Sequence, residues 1–131
     1  MRLFIVIIGF YVAMLLPQPA FAQSAEPLIS SAYLYEVCKR DGEGNEVILN
    51  GNVTCQSYIA GVLDYHNMLQ SLGTSPNVDI CVPAGMKLKD LQEIVWHYLD
   101  RNTQHDAFVA APAVTLALHK IFPCKKAKKK K

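Results

Sequence analysis

The sequence lacks the short motifs that mark redox, haem and nucleotide-binding proteins. No two of its four cysteines stand in C-x-x-C spacing, which argues against a thioredoxin-like motif and a zinc ribbon. No C-x-x-C-H run is present for haem attachment. A nucleophile elbow and a P-loop are also absent. These absences argue against the common classes of small enzyme and cofactor-binding protein.

The histidines and acidic residues form no catalytic or metal-binding pattern. The four histidines, at positions 66, 97, 105 and 119, include no pair spaced three or four residues apart. A helix-borne metal site needs such a pair. Asp64 and His66 are two residues apart, so on a helix they point about 200° from each other and cannot cooperate. We therefore predict no catalytic residue, no metal and no cofactor.

No apolar run reaches the roughly 18 residues that a membrane-spanning helix needs. The longest run, Leu3 to Leu16, follows the basic residue Arg2 and precedes the small-residue pattern Ala20-Phe21-Ala22. This order is typical of a secretory signal peptide with an A-x-A cleavage site. We predict that residues 1–22 are a cleaved signal peptide and that the mature protein is periplasmic, without stable membrane insertion. An uncleaved anchor is the alternative.

Positive charge is scarce in the body of the chain and concentrated at its end. Residues 23–124 carry six basic and eleven acidic residues, a formal charge of −5, whereas residues 125–131 include six lysines. We predict one acidic domain over residues 23–124 and a disordered lysine-rich tail. Attraction of the tail to an anionic cell-envelope surface is the functional alternative. Nucleic acid is not an expected partner, because the tail has no interleaved aromatic residues.

The four cysteines are Cys38, Cys55, Cys81 and Cys124. An even number in a short exported chain predicts two disulfides. Four cysteines allow three pairings, and the sequence alone does not choose among them. Pairs that tie neighbouring segments, Cys38 with Cys55 and Cys81 with Cys124, are favoured over crossed ones.

Hydrophobic spacing predicts four helical segments and therefore an all-α bundle of four to five helices. The first is expected from about Pro27 to Lys39, with a buried face marked by Leu28, Ala32, Tyr35 and Cys38. The second is expected over Cys55 to Leu69, with Thr54 as its N-cap. The third follows the segment Cys81 to Met86 and presents His97 on its polar side, with Trp96 half exposed. Lys87 is a poor N-cap for it.

The fourth helix and the middle of the second contain residues that disfavour helices. Pro112 is tolerated only in a first turn, so the regular fourth helix is expected to begin or kink near Val109, and Pro123 to end it. Gly61 costs about 1 kcal/mol relative to alanine inside a helix. Close approach of another helix is the simplest compensation, so we predict such a contact at Gly61.

Three motifs in order resemble the Rap/Tai family of immunity proteins. The residues that match the family pattern are Cys55, Tyr58, Gly61 and Asp64; Cys81, Pro83, Gly85, Tyr98 and Leu99; and Ala117, Leu118, Phe122, Pro123 and Cys124. The resemblance covers about Cys55 to Cys124. It implies a small periplasmic helical protein, commonly a homodimer, which is not itself an enzyme. Members neutralise peptidoglycan amidase effectors delivered by type VI secretion by inserting a surface element into the active-site cleft.

The resemblance assigns structural roles rather than a binding site. It implies that Gly61 and Tyr58 serve packing and that Asp64 forms local hydrogen bonds or lines a dimer contact. His66 and Asn67 are weak candidates for partner binding. The alternative functions are a small periplasmic stress chaperone, which would expose apolar surface as its carboxylates lose charge in acid, or an orphan protein-binding helical domain. An enzyme is the third hypothesis.

Overall fold

The computed structural model describes residues 29–74 and 78–124. Over these residues the chain forms four α-helices and no strand, which confirms the predicted all-α bundle. The helices are α1 (Ser31–Cys38), α2 (Gly51–Ser71), α3 (Leu88–Asp100) and α4 (Ala110–Ile121), with a 3₁₀ turn at Thr103–His105 between the last two. The predicted signal peptide and lysine-rich tail lie outside the described residues.

Helix α1 is shorter than predicted because Ser30 supplies its cap. The Ser30 backbone is extended, and its hydroxyl oxygen accepts a 3.2 Å hydrogen bond from the backbone N–H of Tyr33. Of the predicted face, Cys38 is buried and Tyr35 packs half-buried against the core, but Ala32 is exposed, so its prediction was wrong. The buried face instead consists of Ser31, Leu34, Val37 and Cys38. Pro27 and Leu28 lie outside the described residues.

Helix α2 begins at Gly51, four residues before the predicted start at Cys55, so the prediction that Thr54 caps it was wrong. The cap comes from Glu46, whose carboxylate accepts hydrogen bonds from the backbone N–H groups of Asn50 (3.0 Å) and Asn52 (3.1 Å). An acidic group is favourable at this positive end of the helix dipole. Gly51 is required here, because a Cβ would lie 2.7 Å from the carbonyl oxygen of Val37.

The loop before α2, residues 41–50, is braced along its length. The Asp41 carboxylate accepts hydrogen bonds from the backbone N–H groups of Glu43 (2.9 Å) and Asn45 (2.8 Å). An isolated antiparallel bridge pairs Arg40 with Glu46. The Cys38–Cys55 disulfide joins the residues on either side of the loop. The loop is therefore held at both ends and at its centre.

The predictions for the other two helices were confirmed. Lys87 precedes α3 and makes no capping hydrogen bond through its side chain. His97 is exposed and Trp96 half-buried, as predicted. Helix α4 begins directly after Val109, which places Pro112 in the first turn, where its missing N–H needs no partner.

The four helices enclose one core, and the two favoured disulfides are present. Cys38 bonds to Cys55 and Cys81 to Cys124, with Cα–Cα distances of 5.1 and 5.0 Å. Their sequence separations of 17 and 43 residues correspond to about 3 and about 4 kcal/mol of loop-closure entropy. The buried apolar residues are Leu34, Val37, Cys38, Cys55, Ile59, Ile80, Leu91, Val95, Leu99, Ala110, Ala113, Val114, Ala117 and Leu118. No helix within residues 29–74 and 78–124 is long and apolar enough to cross a membrane.

Candidate partner-binding surfaces

Asp64 and His66 do not form a site. Asp64 is exposed, whereas His66 is 4% exposed and points into the protein. The Nε2 atom of His66 accepts a 3.3 Å hydrogen bond from the backbone N–H of Ile80 and lies 3.1 Å from Nε2 of Gln70. His66 therefore anchors the segment that leads to Cys81 through its Nε2 atom. Asn67, the other weak candidate, is exposed.

The described residues contain no cluster of three or more histidine, cysteine, aspartate or glutamate side chains that could hold a metal ion. His97 lies 3.8 Å from Glu93 in an exposed i, i+4 pair, which is a surface contact of little energetic consequence. Burial raises the pKa of Tyr58, so its phenol stays protonated at neutral pH. None of these groups is arranged for acid–base or nucleophilic chemistry.

Gln92 is a fully buried polar residue that joins three segments. Its Nε2 donates to the carbonyl oxygen of Cys38 (3.0 Å) and to Oδ1 of Asn52 (2.8 Å). Its Oε1 accepts from Nη2 of Arg40 (3.0 Å) and Nε2 of Gln56 (2.9 Å). All four hydrogen-bonding positions of the amide are used. The role of Gln92 was not predicted from the sequence, although a polar residue beside Leu91 on the apolar face of α3 is the signal that could have revealed it.

An open apolar groove runs between α2 and α4. It has a volume of about 660 Å³. Its lining includes Tyr58, Gly61, Tyr65 and Leu69 from α2 and Pro112 and Leu116 from α4. Tyr65 and Leu116 expose apolar surface here. Contiguous apolar surface of this kind marks interaction sites more often than isolated exposed residues do. We call this surface the α2–α4 groove.

Gly61 lies in the α2–α4 groove and is exposed, so the predicted close helix contact does not occur among residues 29–74 and 78–124. A Cβ at this position would meet no atom within 4 Å. Glycine lowers the stability of the helix at this position, and no contact among the described residues requires a glycine there. The neighbouring motif residue Tyr58 is partly buried against the core, as expected of a packing residue.

The remaining motif residues shape the turns and the end of the bundle. Gly85 has a φ of +85°, a conformation that favours glycine, in the turn closed by the hydrogen bond from Met86 N–H to the Pro83 carbonyl oxygen (3.3 Å). Leu99 is buried in the core and Tyr98 is half-buried. At the end of α4, the Phe122 carbonyl oxygen accepts from Cys81 N–H (2.8 Å) beside the second disulfide.

A second apolar surface was not predicted from the sequence. Val47, Ile48 and Leu49, in the braced loop, and Val53, in the first turn of α2, are all exposed. The sequence signal was an apolar triplet inside an otherwise polar loop, which suggested a short extended piece rather than a surface. We call these four residues the apolar tip.

Comparison with known proteins identifies a family for this arrangement. The family model of the Rap1a immunity proteins matches residues 30–124, which include all four helices and both disulfides. No curated protein and no solved structure gives a significant match to the chain.

Proposed function

The chain belongs to the Rap1a immunity protein family, and we propose that it is a periplasmic inhibitor of a secreted peptidoglycan amidase. Family membership indicates an immunity protein that binds a secreted effector. The proposal goes further: the effector cleaves cell-wall peptides, arrives by type VI secretion, and is neutralised when this protein covers its active site. The observation that carries the proposal is the family match over residues 30–124.

The surface of the protein is suited to tight binding of another protein. An inhibitor that acts by occlusion needs exposed apolar area to bury, and the apolar tip supplies it. The formal charge of −5 over residues 23–124 favours encounter with a basic effector. The braced loop and two disulfides keep the surface rigid, which reduces the entropy lost on binding.

We also propose that two copies associate through the α2–α4 groove. The groove is apolar, and it contains the exposed Gly61, whose lack of a side chain would let a helix approach closely. An isologous dimer would place the same surface of each protomer against the other, so the close helix contact that Gly61 lacks among the described residues would come from the partner. Asp64, exposed three residues after Gly61 on the same helix, is available to line this contact.

A pull-down and a lysis test examine the proposed function together. The purified protein is offered to the peptidoglycan amidases encoded in the same genome, and each amidase is co-expressed in the periplasm with and without the protein. We expect capture of one amidase and rescue of the cells from lysis by it. Capture of none and rescue from none would contradict the immunity function. Protection of unrelated proteins from aggregation at low pH would then favour the stress chaperone.

A further inference from the structure

The apolar tip exposes more hydrophobic surface than a short loop in a stable small protein requires. Leu49 is 85% exposed, Val53 65%, Val47 54% and Ile48 41%. Isolated exposed apolar residues are common on protein surfaces, but here four lie within seven positions of the chain. Side chains that are this exposed project from the surface, so they suit a recess in a partner.

The backbone beneath the apolar tip is fixed by interactions that do not involve the four apolar side chains. Before the tip in the chain, the Asp41 carboxylate accepts hydrogen bonds from the backbone N–H groups of Glu43 and Asn45. The Glu46 carboxylate accepts hydrogen bonds from the backbone N–H groups of Asn50 and Asn52 and so caps α2. The tip is thus held in one conformation before any partner arrives. Preorganisation of this kind lowers the entropic cost of binding.

The loop that carries the apolar tip is acidic. Residues 41–54 contain Asp41, Glu43 and Glu46 and no lysine or arginine. Two cations precede the loop: Lys39, whose carbonyl oxygen accepts from the backbone N–H of Val47 (3.5 Å), and Arg40, whose Nη2 donates to Oε1 of Gln92 and to the Lys89 carbonyl oxygen. Asp41 and Glu43 are exposed in the loop. A partner for this surface needs an apolar recess, and basic side chains beside that recess would complement the loop.

We propose that the apolar tip inserts into a recess of the effector and provides the main apolar anchor of the inhibitory complex. The proposal rests on the proposed function, because the occupant is the amidase whose cleft the protein is expected to cover. A second copy of the chain is a poorer occupant, since the area of four residues is far below the roughly 800 Å² per partner of a standard interface. An effector that is contacted by other surfaces as well can use a small anchor as a hot spot.

The test compares two variants of the full chain, expressed with its own N-terminal segment, for binding to the captured amidase. Leu49→Ser combined with Val47→Ser removes the most exposed part of the tip. Leu72→Ser is the matched control, because Leu72 is 67% exposed at the opposite end of α2. The 21 residues of α2 separate the two positions by about 30 Å. Circular dichroism and thermal unfolding establish that each variant remains folded.

We expect the tip variant to raise Kd by at least about tenfold and the control to leave it unchanged. Hydrogen exchange should show protection of residues 45–54 in the complex. Equal affinity of the tip variant, with no protection of the loop, would overturn this inference and leave the proposed function standing. Failure of the unaltered protein to bind any amidase would overturn both. Glu43→Lys should in addition slow association at low salt, because it places a positive charge opposite the basic side chains expected beside the recess.

Discussion

The side chain of Gln92 donates a 3.0 Å hydrogen bond to the carbonyl oxygen of Cys38, 54 residues earlier in the chain. This bond links the middle of α3 to the end of α1, at the cysteine whose disulfide supports the braced loop. The same amide also bonds to Arg40 and Asn52, which flank the loop that carries the apolar tip. We therefore expect loss of this buried amide to weaken the contacts that support the surface we propose for effector binding.

Replacement of Gln92 by leucine should be strongly destabilising. Gln92→Leu leaves the carbonyl oxygen of Cys38 and the side chains of Asn52 and Gln56 without their buried partner, and each unsatisfied group costs about 1–3 kcal/mol. We expect the free energy of unfolding, measured by urea denaturation, to fall by about 3 kcal/mol or more. Glu93→Gln, at the exposed neighbouring position, should change it by less than about 0.5 kcal/mol. An equal effect of the two substitutions would contradict the assigned role of Gln92.

Substitutions at His66 and Asn67, which are adjacent in sequence, should differ in their effect on stability. His66→Leu removes the acceptor of the Ile80 N–H and leaves that buried donor unpaired, at a cost of about 1–3 kcal/mol. Asn67→Ala should be nearly neutral for folding, within about 0.5 kcal/mol, because the side chain is exposed. Thermal unfolding of the two variants checks this order. A neutral His66→Leu would show that the anchor at Ile80 is dispensable.

Gly61→Ala should have opposite effects on the protomer and on the proposed dimer. The new Cβ meets no atom within 4 Å in the protomer, and alanine favours the helix by about 1 kcal/mol. In the dimer it would separate two helices that pack closely. We therefore expect a more stable protomer together with weaker association, measured by analytical ultracentrifugation over a range of concentrations. Asn67→Ala is the control for helix propensity, since Asn67 lies outside the groove lining. Unchanged association of Gly61→Ala would argue against this dimer face.

The conformation of the braced loop should depend on pH through Asp41. Its pKa lies below the ordinary value for aspartate, because the backbone N–H of Asn45 and, to a smaller extent, its side chain and the N–H of Glu43 donate to the carboxylate. A depressed pKa in the folded state means that the stabilisation is present above the unfolded value, about 3.9, and is lost as pH falls through the folded value.

An NMR titration measures this dependence directly. The Asp41 carboxyl should titrate with a midpoint below about 3.9, and the amide signals of Glu43 and Asn45 should shift with the same midpoint. Asp41→Ala should abolish both amide transitions while α3 and α4 remain intact, because the bonds concerned are local to the loop. A midpoint at or above 3.9 would contradict the bracing role of Asp41.

Features governed by local constraints could be predicted from the sequence. Proline is tolerated without loss of a hydrogen bond only in the first turn of a helix, so the start of α4 could be predicted from Pro112 alone. The disulfides could be favoured, though not deduced, because they link neighbouring segments. The positions of His97 and Trp96 followed from the spacing of apolar residues in α3.

Features that depend on contacts between different segments could not be predicted. The start of α2 depends on the Glu46 carboxylate of the preceding loop and on the fit of Gly51 against Val37 of another helix. The burial of His66 depends on a backbone donor 14 residues away. In each case the propensity of the residue allowed several outcomes, and tertiary packing selected one of them. Both proposed binding surfaces likewise became visible only when the positions of side chains relative to other helices were known.

The central claim, that this protein inhibits an amidase by covering its active site without chemistry of its own, is tested most directly by titrating the amidase activity. Release of cleaved peptidoglycan is measured at a fixed amidase concentration well above Kd, with increasing amounts of the protein. The account predicts a linear fall in activity that reaches zero at about one protomer per active site, with active amidase recovered after the complex is dissociated. Loss of activity at far lower ratios, with the amidase chemically altered, would reveal an enzyme, and undiminished activity at excess would contradict inhibition altogether.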